Sequence, residues 1–326
     1  MTEIVEGKFV TNELSKNAMG GTEQMALRMI RDIDPELLKK FQIIHSRPRE
    51  LRTDLKKILV CHDLAGDDEV AQLADVNYRK QFDKIVFVSN WQAQMYNLQL
   101  GIPYSEFVVI PNAIEPFTAD REARKPKSPD EPIRLIYHTT PHRGLVLLCH
   151  AYEEFTNRFP DFKVELDVYS SFDVYGWGER DTPYKPLFDH IKSLPGVTYH
   201  GFKPNSEVRE ALTKSDIFAY PCVWPETSCI AAIEALCSGN LMLYPNLAAL
   251  PETVWMSDPV FQYQWTEKAQ DHVNVFFTAL TNLLFKMREH PEQVSEVAFR
   301  QMLVYNAEYN WYSRVKRWES LLNSLV

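Results

Sequence analysis

Glycine is scarce in this chain, with 11 among 326 residues, about half the ordinary share of about 7%. Each glycine is therefore expected where the backbone needs one. The five cysteines, Cys61, Cys149, Cys222, Cys229 and Cys237, form no CxxC pair and are odd in number, which argues against zinc ribbons and disulfide frameworks. Cys61, Cys149 and Cys222 sit in apolar surroundings and read as small core fillers. No run of about 18 apolar residues could span a bilayer, and residues 1–6 lack the basic start and apolar stretch of a secretion signal. A cytoplasmic protein with no integral membrane segment is expected. Basic excess is missing too: the formal net charge is -9, which disfavours non-specific coating of nucleic acid. Arg47, Arg49, Arg52, Lys56 and Lys57 nevertheless cluster, with only Glu50 and Asp54 opposing them. That cluster is either a solvated face or a contact for an anionic acceptor or a membrane surface.

What is present is enough apolar material, 45% of residues, for two domains of about 100–200 residues each. Short β-branched runs alternate with helical periodicity, the pattern of parallel sheets with crossover helices. Strands are expected at 41–45, 58–61, 85–88 and 108–110, with helices over 22–31, 69–81 and 92–100. Residues 118–132 break the rhythm with Pro126, Pro129 and Pro132 among charges, which is linker chemistry. The alternation then resumes, with strands at 134–137, 163–169, 197–200, 217–220 and 241–243. Helices are expected over 144–159, 186–193, 206–214, 228–238, 271–289, 291–305 and 311–322. The reading is an α/β chain of two Rossmann-like, doubly wound domains facing a central cleft. The first spans 1–120, and a linker covers 121–132. The second domain spans 133–305, and a packed terminal helix is expected within 306–326.

The densest chemistry lies at 215–239. A strand runs into a proline-bounded loop, Tyr220-Pro221-Cys222-Val223-Trp224-Pro225, and Glu226 follows. A helix is expected to start at Thr227 or Ser228, both good N-cap residues. Free amides at such a start suit a diphosphate. Glu234 would stand about two turns in, so the two carboxylates could accept hydroxyls from different parts of one elongated ligand. Two glutamates eight apart are also common on solvated helices, and the pair alone is weak.

Its frame is stronger. The order strand, proline, Glu226, helix, Glu234-Ala235 and Gly239 resembles the donor-site signature of retaining GT-B glycosyltransferases, especially family 4. The segments Gly20-Gly21-Thr22-Glu23, Phe87-Val88-Ser89-Asn90-Trp91, Ile110-Pro111-Asn112-Ala113-Ile114, Thr139-Thr140-Pro141-His142-Arg143-Gly144-Leu145, Val197-Thr198-Tyr199-His200-Gly201-Phe202 and Leu250-Pro251-Glu252 resemble further landmarks of that family, in the same order. The resemblance implies a nucleoside-diphosphate sugar as donor and co-substrate, with no other cofactor. Glu226 would hold hydroxyls of the transferred sugar, and Glu234 the ribose. Arg143, with Thr139 and the amides of Thr227, Ser228 and Cys229, would hold the diphosphate, which the Gly20 and Gly21 turn would also face. His62, at a strand's carboxyl end, would hydrogen-bond a donor-sugar hydroxyl. Asp63 would either orient it or cap the next turn. Phe202 and Lys203 would lie near the base, although Lys203 reads equally well as an exposed lysine. The family often carries a second basic residue about five positions before Arg143; here that place holds His138 or Thr139. The resemblance also implies that the family's first strand is squeezed here into 8–11, and that the helix within 306–326 packs back towards the first domain.

The implied activity is metal-independent transfer of a sugar, with retention, to an acceptor hydroxyl. The acceptor class stays open among glycan, lipid, protein, small molecule or modified base. Asp67-Asp68 and Asp173 form no convincing metal motif. A binding protein that has lost catalysis, a nucleotide-sugar epimerase on the same fold and a two-carboxylate glycoside hydrolase are the competing readings.

Overall fold

The computed structural model describes residues 20–47, 51–256 and 261–326. The chain divides into two compact units, Met1–Glu115 with Tyr309–Val326, and Pro116–Glu308. In the first, α1 (Gly21–Asp32) and α2 (Pro35–Leu38) precede β1 (Phe41–His45) and β2 (Lys56–Cys61). Then come α3 (Val76–Arg79), β3 (Lys84–Phe87), α4 (Asn90–Leu100) and β4 (Phe107–Val109). The strands are parallel in the order β1-β2-β3-β4. Their inner side chains Ile44, Leu59, Ile85 and Phe87 close a core with Tyr96 and Ile102. The expected strand at 8–11 lies outside the described residues, as does Arg49.

The helix expected over 69–81 is broken. A 3-10 segment, Asp68–Ala74, ends before α3. Asp67 accepts from the Glu69 amide at 2.9 Å and Asp75 from the Asn77 amide at 2.8 Å. Two aspartates two residues ahead of their partners thus start two short turns where periodicity suggested one helix.

The second unit contains β5 (Ile133–Tyr137), α5 (Leu145–Arg158), β6 (Val164–Val168), α6 (Lys185–Ser193), β7 (Val197–Tyr199), α7 (Asn205–Lys214) and β8 (Ile217–Ala219). It continues through α8 (Ile230–Ser238), β9 (Leu241–Pro245), α9 (Leu250–Thr253), β10 (Gln262–Tyr263), α10 (Ala269–Glu289) and α11 (Pro291–Glu308). Its six parallel strands run β10-β9-β8-β5-β6-β7. The winding reverses between β5 and β8, and in such sheets ligands gather outside the carboxyl ends of the strands at that reversal.

The proline-rich stretch that reads as a linker belongs to this unit from Pro116 onward. Arg124 is its anchor, buried and donating to the carbonyls of Ser238 at 2.9 Å, Leu212 at 2.8 Å and Ser215 at 2.5 Å. Those carbonyls cluster at the ends of α7 and α8, where the negative poles of the helices lie. Gly239 ends α8 with φ 87°, and a Cβ there would come within 2.7 Å of the Arg124 Nε, so the guanidinium and the glycine fit only each other.

The terminal helix, α12 (Trp311–Leu325), is grouped with the first unit. Its Trp311 is fully buried and donates its indole N–H to Asp32 at 2.6 Å. All five cysteines are free and buried.

Candidate active site

Two loops leave the sheet at its reversal: residues 138–144 after β5 and residues 220–229 after β8. Their backbones touch. Gly144 has φ 119°, and a Cβ on it would fall 2.0 Å from the Pro221 carbonyl oxygen. Any side chain is thereby excluded. The Val223 amide donates to the Arg143 carbonyl at 3.4 Å.

This close approach brings Arg143 to Glu226, and Arg143 Nη1 donates to Glu226 Oε1. Tyr220 Oη donates to the same oxygen at 2.5 Å. Glu226 is buried, and the Arg143 side chain is 20% exposed. Burial alone would lower the guanidinium pKa, but the neighbouring carboxylate outweighs it and holds Arg143 well above its ordinary value. The site thus contains a fixed cation and a fixed carboxylate that already hold one another.

The rest of the first loop is neutral. Burial pushes His138 down to about 3, and its ring packs on Phe218 with centroids 4.5 Å apart. With no anion beside it among the described residues, it is a neutral imidazole. His142 is lowered to about 4, by burial first and then by the Arg143 charge. Thr139 is half-buried between them. His138 Nε2, Thr140 Oγ1, His142 Nδ1, Arg143 Nε and, after β6, Ser170 Oγ are buried without a hydrogen-bond partner among the described residues. Unpaired buried polar atoms are expensive and rare. Their concentration at the carboxyl ends of β5 and β6 marks a place built for a polar ligand.

The second loop departs from the sequence expectation. The α8 N-cap is Cys229, not Thr227 or Ser228, and it adopts the left-handed conformation, φ 64°. Tethers on both sides explain the delay: the Glu226 carbonyl accepts from the Ala249 amide at 3.0 Å, and the Ser228 carbonyl from Thr253 Oγ1 at 2.6 Å. These contacts commit both carbonyls outside the helix, so the helical ladder starts later. A positive φ at a residue other than glycine is uncommon and points to a functional constraint.

Glu234 consequently lies little more than one turn into α8, not two. Its carboxylate is buried and receives Asn205 Nδ2 at 3.0 and 3.2 Å and Arg209 Nη1 at 3.5 Å. The two glutamates thus have separate partner sets. Phe202 is exposed, and Lys203 lies 3.6 Å from Glu207.

In the first unit, Gly20 caps α1 with an extended backbone, and Gly21 opens the helix. Glu23 turns back onto the Gly20 and Glu23 amides, and burial raises its pKa despite those bonds. His62 follows β2 and stacks on His45, with ring centroids 5.4 Å apart and Nδ1 of His45 3.2 Å from its Nε2. Burial lowers His62 to about 4, so it acts as a neutral imidazole. Asp63, raised by burial, meets Arg47 at 3.6 Å. Arg47 also faces Asp67 and Glu69, and Arg52 pairs with Asp54 at 2.6 Å. Much of the basic cluster is therefore compensated locally.

Sequence reasoning missed His45, Asn205 and Tyr220 as parts of these clusters, and the rings of Phe172 and Trp224 that pack on His142 with centroids 5.1 Å away. Only Tyr220 and Trp224 carried a signal, their place in the run before Glu226. Among the described residues, no group of three or more His, Cys, Asp or Glu is arranged to hold a metal ion, and no helix is long and apolar enough to cross a membrane.

Residues 118–257 match the family described as glycosyl transferases group 1. Solved structures extend the likeness over both units. Sucrose-phosphate synthase from Thermosynechococcus elongatus has TM-score 0.63 at 13% identity, covering 88% of this chain and 73% of that one. A glycosyltransferase from Rickettsia africae has TM-score 0.62 at 16% identity, covering 95% and 83%. HepE from Anabaena, solved in complex with UDP and glucose, has TM-score 0.63 at 14% identity, covering 95% and 85%. No curated protein sequence matches the chain. The fold class is GT-B.

Proposed function

We propose that this chain, whose residues 118–257 match the glycosyl transferases group 1 family, moves a sugar from a nucleoside diphosphate to an acceptor hydroxyl with retention. The observation that carries the reading is the Arg143–Glu226 pair at the sheet reversal, set among buried polar atoms that lack partners. Arg143 and the first amides of α8 take the diphosphate, where charge builds up as it departs. Glu226 accepts hydroxyls of the transferred sugar, and Glu234 accepts those of the ribose. Phe202 and Lys203 lie towards the base. The roles implied for His62, Gly20 and Gly21 are part of the same proposal.

Chemically, the bond from the anomeric carbon to the β-phosphate oxygen breaks. The acceptor oxygen bonds to that carbon on the same face, and its proton passes to the leaving phosphate. No carboxylate nucleophile is needed, which fits a Glu226 whose carboxylate is held by Arg143 and Tyr220. Neither donor nor acceptor is fixed by the residues alone. HepE, the structural neighbour solved with UDP and glucose, makes uridine diphosphate and its sugars the first to try. We carry metal independence and a cytoplasmic location as parts of the reading.

The test is a thermal-shift panel of nucleoside diphosphates and their sugars on the wild type and Glu234→Ala, followed by turnover with and without acceptors. Stabilisation that Glu234→Ala abolishes, with acceptor-dependent release of diphosphate and a retained anomer, is expected. No stabilisation by any member, or an inverted product, defeats the proposal. Donor isomerised without an acceptor would instead identify an epimerase.

A further inference from the structure

Trp224 is a large apolar side chain left 40% exposed two residues before the buried Glu226. It is also firmly braced. His142 meets its ring edge-on, with centroids 5.1 Å apart and an interplanar angle of 83°. His142 in turn stacks on Phe172 at 5.1 Å and 14°. Phe172 leans on Tyr184 at 5.7 Å, and Tyr184 on the buried Phe188 at 6.3 Å. Asp181 fastens the segment that carries Phe172 by accepting its amide at 2.8 Å. In its own loop, the Trp224 carbonyl accepts from Cys222 Sγ at 3.1 Å. An exposed indole held by a ladder of rings loses little freedom when a ligand covers it.

What stands beside it identifies the ligand. The Arg143 guanidinium carbon lies over the indole ring, 5.9 Å from its centroid, and Arg143 holds Glu226. A flat apolar face beside a carboxylate and a guanidinium matches a pyranose, which has an apolar face of C–H groups and a rim of hydroxyls. We propose that Trp224 is the platform on which the sugar ring of the donor lies, and so a determinant of donor specificity. This rests on the glycosyl-transfer reading and extends it by naming the residue that senses the sugar apart from the nucleotide.

The test separates the two claims. Titration calorimetry on the full chain compares UDP, ADP and GDP with UDP-glucose, UDP-N-acetylglucosamine, ADP-glucose and GDP-mannose. For the sugar nucleotide that the wild type prefers, Trp224→Ala is expected to weaken binding about 10- to 30-fold, as follows from uncovering an apolar ring face. Its parent diphosphate should change less than about 2-fold. Trp224→Phe, which keeps a ring, should recover most of the loss and guards against a folding defect. Equal weakening of diphosphate and sugar nucleotide, or none of either, overturns the platform while leaving the donor site intact. Absence of any nucleotide binding by the wild type defeats both readings.

Discussion

Replacing Glu226 by Gln isolates the charge in the Arg143–Glu226 pair, since the amide oxygen can still accept from Tyr220. The perturbation leaves a guanidinium only 20% exposed without its counter-ion. Removing one partner of a buried pair costs about 3–5 kcal/mol. The partial access of water to Arg143 puts this case at the lower end, about 3 kcal/mol. For a unit of this size each kcal/mol moves the midpoint about 2–4 °C, so Glu226→Gln should melt about 6–12 °C lower. Arg143→Met alone strands the carboxylate, and the double variant should regain much of the loss, giving a favourable coupling of more than about 1 kcal/mol in the cycle. The same variant bears on function. A guanidinium released from Glu226 should bind a bare nucleoside diphosphate about 3- to 30-fold more tightly, while turnover of the sugar donor falls. Thermal melts and titrations of all four proteins give the answer. Melting within 2 °C of wild type, by the scaling above, together with coupling below about 0.5 kcal/mol, would refute the account of the pair.

Three further outcomes are expected. Gly144→Ala should destabilise by about 2 kcal/mol or more, from the left-handed backbone and the clash with Pro221; a melt unchanged from wild type removes the argument for a fused pair of loops. His138, His142 and His62 are lowered in the folded state to about 3, 4 and 4, below the ordinary value near 6.5. The unfolded chain therefore binds more protons, and the stability from burying them neutral is complete above pH 6.5 and shrinks as acid drives the pH towards those values. Melting temperature should already fall between about pH 6.5 and 5, above the range where most carboxylates titrate, and a flat profile there contradicts it. Finally, activity should survive EDTA, and a loss restored by added metal would overturn metal independence.

The strands and the loops that follow them were legible because β-branched runs and proline-bounded turns act over a few residues. Arg143 and Glu226 were both singled out in the sequence, yet their contact was not, since 83 residues separate them and only the winding of β5 and β8 brings them together. Nothing in the linker chemistry of 118–132 singled out Arg124, because no local pattern shows that three carbonyls at the ends of α7 and α8 converge on it. The start of α8 was misplaced because Thr227 and Ser228 are good caps locally, and tethers to Ala249 and Thr253 override that preference. The ring ladder of Phe172 and Tyr184 lay in a segment with no helical or strand period, folded into 3-10 turns around Asp181.

The five buried thiols supply an internal clock for motions of the chain. Burial raises them all, Cys149 to about 11 and Cys222 to about 12, so a thiol reagent reaches them only when the structure opens. Cys61 belongs to the first unit, and Cys149, Cys222, Cys229 and Cys237 to the second. Labelling rates resolved by mass spectrometry would time the opening of each unit separately. A donor that stabilises the loops after β5 and β8 should slow Cys222 and Cys229 and leave Cys149 as the reference within the same molecule.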